Sequence, residues 1–381
     1  MRGRLLKARL HVLSPIHIGC DDVYEPFSFV IDEKNKSLIV FAPFIFYKKL
    51  PPADKQTFTS ICEKGDISSI LKLYQFMHKK IDLVKEIKRC EIEVSDGFTE
   101  HYKNKILINK NQNTEQDIQK EINLFAINRT AYNPHTDIPY IPGSSLKGSL
   151  RTGYLNKLAK DVDIKNRPNL KNKSAQELES ELLKGSFSSD PFSMLKVSDF
   201  HPVKNSDFKL KIVYAINKKK KKSRFEAKGP YQILEVVKDS VFEGRININQ
   251  PRGNCEIKDP IDEISLINAM NKFYKNIFEE ERKILDGVEI KSSIYEKYEK
   301  YKGKIKFGCL VRLGRHSGAE AVTIEGKRNI KIMQGKGQEP KQENHSTTLW
   351  LASDSSDSRV KDSKNILVPF GWAILEIFDG V

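Results

Sequence analysis

Residues 138–155 read Ile-Pro-Tyr-Ile-Pro-Gly-Ser-Ser-Leu-Lys-Gly-Ser-Leu-Arg-Thr-Gly-Tyr-Leu. A short apolar strand over Ile138–Ile141 runs into Pro142-Gly143, and an amphipathic helix pattern follows to about Lys160. Such a joint leaves the N–H groups of the first helical turn without intrahelical partners, and Ser144 or Ser145 is the expected cap. The positive end of the helix then faces outward as an anion site. Lys147 and Arg151 stand four apart and share one face. The helix dipole disfavours cations at this end, so the pair implies a bound anion, with phosphate the natural candidate. Gly143 and Gly148 have the glycine spacing of a P-loop, but Ser149 stands where its lysine belongs.

A second glycine loop lies far downstream. The strand expected over Ile305–Arg312 enters Leu313-Gly314-Arg315-His316-Ser317-Gly318. Glycines let a main chain approach a backbone phosphate closely, and Arg312 and Arg315 supply charge-assisted donors. Either loop alone reads equally well as a tight turn with surface cations. Two of them in one basic chain point toward RNA. The 381 residues carry 65 Lys+Arg against 50 Asp+Glu, a net charge of +15, which suits a polyanionic partner. The candidate RNA-binding residues are therefore His17, Gly143, Ser144, Ser145, Lys147, Gly148, Arg151, Arg312, Gly314, Arg315, His316 and Gly318. The stretch Lys306–Val311 lacks the further aromatics of an RNA-stacking strand, so base stacking is not assigned there.

No run approaches the 18 or so apolar residues of a membrane span, and Arg9 and His11 interrupt the apolar N-terminal segment. A cytoplasmic protein without a membrane partner is expected. The five cysteines (Cys20, Cys62, Cys90, Cys255, Cys309) are scattered, with no Cys-x-x-Cys pair. They read as reduced thiols, and neither a metal nor a cofactor is expected.

Strand patterns at 4–13, 27–31 and 38–41 give way to a short helix from Pro43 to Leu50. Helical periodicity then runs from Asp54 to Glu91. Residues 108–123 read as a mobile polar loop. The second half resumes with strands at 195–200, 208–216, 231–238 and 242–248, a long amphipathic helix over 261–285, and a closing strand at 370–377. The basic run 218–224 reads as a loop or hairpin tip, since like charges cannot pack. The polar stretches 334–347 and 354–363 read as further loops. The fold class is α+β, with a ferredoxin-like (RRM-like) core in each half and long flexible loops. The expected modules are residues 1–160, with a helical insertion at about 51–127, and 191–381, joined by a linker-like polar segment at 161–190.

Metal-independent RNA cleavage would need a general base and acid near a positioned 2′-hydroxyl, and histidine is the usual choice, though a lone aspartate can assist. His17 at a strand-end turn and His316 in the second loop are the candidates, while Asp21, Asp22 and Asp32 read as turn residues. No catalytic residue is assigned.

Three stretches resemble a known family in order and spacing: Ser14-Pro15-Ile16-His17-Ile18-Gly19, Ile141–Arg151, and Arg312-Leu313-Gly314-Arg315-His316-Ser317-Gly318. They look like the RAMP superfamily of CRISPR effector proteins, over nearly the whole chain. The closing Pro369-Phe370-Gly371-Trp372 and the long first-half insertion look most like the fifth subunits of type III-A (Csm) complexes. Sister backbone subunits carry the middle motif much nearer their N-terminus. The resemblance implies two RAMP modules and a non-catalytic subunit that binds CRISPR RNA, caps the filament at the guide's 3′ part and supports 3′-end maturation. It implies the CRISPR RNA, the sister Csm backbone subunit and the rest of the effector complex as partners, with host trimming nucleases beside them. The backbone subunit's catalytic aspartate is not carried over to Asp32, whose surroundings do not match. The alternative is a metal-independent CRISPR RNA endoribonuclease of the related processing family, acting through His17 or His316. A basic membrane-surface protein ranks below both, because the 261–285 helix is mixed in charge.

Overall fold

The computed structural model describes residues 4–108, 114–163, 173–204, 207–221, 231–251, 256–334, 337–356 and 367–379. Along β1 (Arg4–Val12), Leu6, Ala8, Leu10 and Val12 are buried while Leu5, Lys7, Arg9 and His11 point the other way. This strand lies inside an antiparallel sheet, between β11 (Val241–Ile248) and β17 (Trp372–Asp379). Beyond β11 come β7 (Leu195–Val197) and the two-residue β8 (His201–Pro202), and beyond β17 comes β12 (Gly308–Arg312). The helices Gly143–Asp161 and Glu263–Gly287 pack together on the buried side. Met270, Phe273, Tyr274 and Ile277 face the core there, each such burial being worth about 1.5–3 kcal/mol.

The second sheet runs β2 (Gly19–Val23), β6 (Ile127–Thr130), β10 (Gln232–Lys238), β9 (Lys209–Lys219), β5 (Lys88–Glu93), β4 (Ser37–Phe41), β3 (Phe29–Asp32). β15 (Thr348–Ser353) pairs with β9, and β16 (Val368–Pro369) with β15. A separate ribbon joins β13 (Ile330–Ile332) to β14 (Lys341–Glu343). Four helices, Pro43–Lys49, Pro52–Lys64, Ile67–Lys79 and Ile81–Glu86, follow β4. They build a satellite core in which Phe46, Phe76, Met77 and Val84 cover Val30, Ile39 and Phe41.

Several expectations need correction. The helical stretch from Asp54 ends at Glu86, because Cys90 and Ile92 are recruited into β5 opposite β4. Within the expected loop 108–123, Glu115–Leu124 is a helix, capped by the Thr114 hydroxyl on the Asp117 N–H; 109–113 lie outside the described residues. The short strand Ile138–Ile141 is reduced to two isolated bridges, Tyr132 with Pro139 and Ile141 with Phe200. In the basic run, Lys218 and Lys219 continue β9 opposite Leu349 and Thr348, and Lys220 pairs with Glu320 at 2.8 Å. Lys222–Arg224 fall outside the described residues. β14 lies within the expected loop 334–347. Both sheets also draw strands from either side of the 161–190 segment, so the sheets do not follow the expected module limits. The helix that the sequence predicts within that segment, over 175–183, is present as Ala175–Leu182, and it buries Leu178 and Leu182.

Candidate nucleic-acid interface

In the first motif the helix begins at Gly143 with Pro142 as its N-cap, and neither Ser144 nor Ser145 caps it. Proline supplies the extended entry there. One vacant donor of the first turn is used internally: the Gly143 N–H donates to Asp199 Oδ1 at 2.8 Å. A Cβ at position 143 would sit 2.4 Å from the Val197 carbonyl oxygen, so glycine lets the helix start against β7. Ser144 and Gly148 are exposed, with open space around Gly148, and Ser145 is partly exposed. Ser149 is buried instead, and its hydroxyl donates to Tyr274 on the long helix at 2.9 Å.

The two cations of this motif have different surroundings. Arg151 is held by Glu179 through Nε and by Asp190 through Nη1 at 2.8 Å, with its guanidinium 5.0 Å from the Phe192 ring centre. Among the described residues Lys147 makes no ion pair. Its pKa is lowered by partial burial and by the nearby Lys196.

The second motif divides in the same way. Arg312 is buried. Its Nη2 lies 2.7 Å from Glu281, its Nε donates to the Phe370 carbonyl at 3.0 Å, and it packs on Trp372. Gly314 has φ +80°, and a Cβ there would meet the His17 carbonyl oxygen at 2.3 Å. The next N–H, of Arg315, donates to that same oxygen at 2.8 Å. Gly314 and Arg315 are exposed. Gly318 is partly exposed and opens the short helical turn Ala319–Val322. The His17 turn, the second loop and the Gly371 turn are thus tied into one unit, with Leu313 N–H on Gly371 O at 2.8 Å and Gly371 N–H on Pro15 O at 2.9 Å.

Neither histidine is presented to solvent as a free base. His17 is 1% exposed, and its Nδ1 donates to the Glu235 carbonyl at 2.8 Å. Burial lowers its pKa. His316 lies on Trp350 with ring centres 4.2 Å apart and bonds Gln232 at 3.0 Å. Burial, with Arg315 and His17 close by, pushes its pKa down to about 3. The Glu235 carboxylate is buried with a raised pKa, and accepts from Tyr24 OH at 2.6 Å and Thr130 N–H at 2.9 Å. Asp32 closes its own turn, accepting from Asn35 Nδ2 at 2.8 Å and pairing with Lys85 at 2.7 Å. No group of three or more metal-ligating side chains is found among the described residues. No described helix is long and apolar enough to cross a membrane.

Residues 9–317 match the RAMP superfamily. The chain belongs to that superfamily. It resembles a Csm5 of a CRISPR system from Methanocaldococcus jannaschii, with 24% identity over 314 residues, covering 78% of this chain and 67% of the relative. Its fold is that of a chain in a cryo-EM structure of a type III-A Csm–crRNA–target RNA ternary complex, with TM-score 0.60, 17% identity and coverage of 97% of this chain and 100% of that one. A crystal structure of Csm5 from T. onnurineus also matches, with TM-score 0.51, 17% identity and coverage of 80% and 89%. In this RAMP chain both glycine motifs lean on the long helix, through Tyr274 and Glu281. Reading the sequence alone missed the carboxylates that occupy its arginines, Glu179, Asp190 and Glu281. They lie between 28 and 39 residues from their partners, where no local pattern links them.

Proposed function

We propose that this chain is a non-catalytic CRISPR RNA-binding subunit of a type III-A (Csm) interference complex. In this reading it ends the filament at the guide's 3′ part and supports 3′-end maturation, beside the sister backbone subunit and the trimming nucleases. The observation that carries it is the locked junction of the His17 turn with the second glycine loop. It leaves Gly314 and Arg315 exposed on a chain of net charge +15. Guide sequences vary, so such a subunit must hold RNA by backbone and shape, and exposed main chain beside a cation suits that need. In chain order β1, the helix Gly143–Asp161, β7, β11, the long helix and β17 run strand, helix, strand, strand, helix, strand. The first strand lies between the third and fourth. That order supports a ferredoxin-like module assembled from both ends of the chain.

The test is binding of a CRISPR RNA to the full chain at several salt concentrations. Lys147→Ala with Arg315→Ala should weaken binding about 10-fold and reduce the salt slope by about 1.4. Unchanged affinity and slope would remove the phosphate role. The endoribonuclease alternative predicts site-specific cleavage of repeat RNA in EDTA, lost in His316→Ala. The burial of His17 and the packing of His316 on Trp350 favour no cleavage.

A further inference from the structure

The outward residues of β1 are not covered along their whole length. By strand register, Lys7 lies opposite Arg245 on β11 and opposite Phe378 on β17. Leu5 lies opposite Asn247, which in turn lies opposite Lys196 on β7. Helix Ile294–Lys302 closes one end of this face, where the His11 and Tyr301 rings approach to 5.0 Å. The remainder faces solvent: Leu5 is 51% exposed, and Lys7, Lys196 and Arg245 are exposed.

The charge on this face is one-sided. Its carboxylates are already matched, Glu243 with Arg9 at 2.6 Å and Glu376 with His11 at 2.8 Å. Lys7, Lys196 and Arg245 make no ion pair among the described residues. The half-buried Phe378 carries Arg9 4.9 Å from its ring centre and adjoins Lys7 in the register. Lys196 also lies near Lys147 of the first motif, so the line of cations continues around the sheet edge.

We propose that this open sheet face is a further contact surface for single-stranded RNA. Lys196, Arg245 and Lys7 receive its phosphates, and Phe378 offers a surface for a base. The proposal rests on the RNA-binding reading above for the class of its ligand. Unpaired cations beside an aromatic ring are the combination that holds single strands without sequence preference. An acidic protein surface would also answer the charge, and is the competing outcome.

The probe is a fluorescent oligouridylate titrated into the full-length protein at several salt concentrations, read by anisotropy. Lys7→Ala with Arg245→Ala should weaken binding about 10-fold and reduce the salt slope by about 1.4. Phe378→Leu should weaken it about 5-fold with the slope unchanged. In the wild-type protein, 4-thiouridine in the probe should crosslink within 372–379, a readout independent of whether any variant folds. Absence of that crosslink, or wild-type affinity and slope in a folded Lys7→Ala/Arg245→Ala protein, would overturn the proposal. If only Lys147→Ala with Arg315→Ala weakens binding, this surface is excluded while the RNA-binding reading stands. A wild-type protein that binds no RNA removes both. Unchanged RNA binding with loss of an acidic partner protein would make the face a protein interface and overturn the RNA assignment.

Discussion

The two glycine motifs look alike in sequence and divide their labour alike in space, but they are built on different foundations. In the first, glycine lets a helix start against the backbone of β7, and the helix-start N–H is taken by Asp199. In the second, a left-handed glycine lets a loop close over the carbonyl of His17. Each motif spends one arginine on structure, Arg151 or Arg312, and leaves one cation without an ion pair among the described residues, Lys147 or Arg315. The burial differs: Arg312 and Glu281 have side chains 5% and 9% exposed, whereas Arg151 is 28% exposed. A cation in a glycine motif is available to a ligand only where no carboxylate of the same chain has claimed it.

That contrast can be broken most forcefully at Arg312. Arg312→Ala strands Glu281 inside the core and should cost about 3–5 kcal/mol, read as a lower denaturation midpoint. A loss below about 1 kcal/mol would show that the second motif is not anchored by this pair.

Titration of His316 probes the same loop with a smaller effect. A free histidine titrates near 6.5, and burial holds His316 down to about 3. The folded state therefore keeps this contribution in full above pH 6.5 and loses it as pH falls toward 3. The loss is about 1.4 kcal/mol per pH unit, or about 2 kcal/mol by pH 5. His17 and His101, also held low by burial, add to the wild-type decline. His316→Phe should therefore flatten the melting temperature between pH 7 and pH 5 relative to wild type, and an unchanged pH dependence would count against the assignment.

At the first motif the expected effects are weaker. Arg151→Ala should cost about 1 kcal/mol, because its two bridges are partly exposed to water. Least of all, Lys147→Ala and Arg315→Ala should each change stability by no more than about 0.5 kcal/mol, while the pair weakens RNA binding. A large stability loss at either would place that cation among the structural ones.

Much of the local structure is legible in the sequence. The alternation of β1, the amphipathic period of the long helix over 261–285, and the proline-bounded helix after Pro43 all rest on short-range spacing, where side-chain pattern and backbone preference agree. The misses have different causes. β5 follows helical periodicity in sequence yet is drawn into the sheet by β4, and the helix after Thr114 hides behind polar residues because it buries little. Lys218 reads as part of a charged turn until β15 supplies a partner strand.

The sequence by itself determined the class of the protein: an α+β chain with a basic excess and ordered RAMP motifs. Residue type and short-range spacing carry that information. Only the tertiary structure decided which members of those motifs are free. Whether Arg151 meets a phosphate or Glu179, and whether Lys7 stands alone or beside Arg245, depends on contacts between residues distant in the chain. Such contacts follow from strand pairing and helix packing, and no local pattern encodes them.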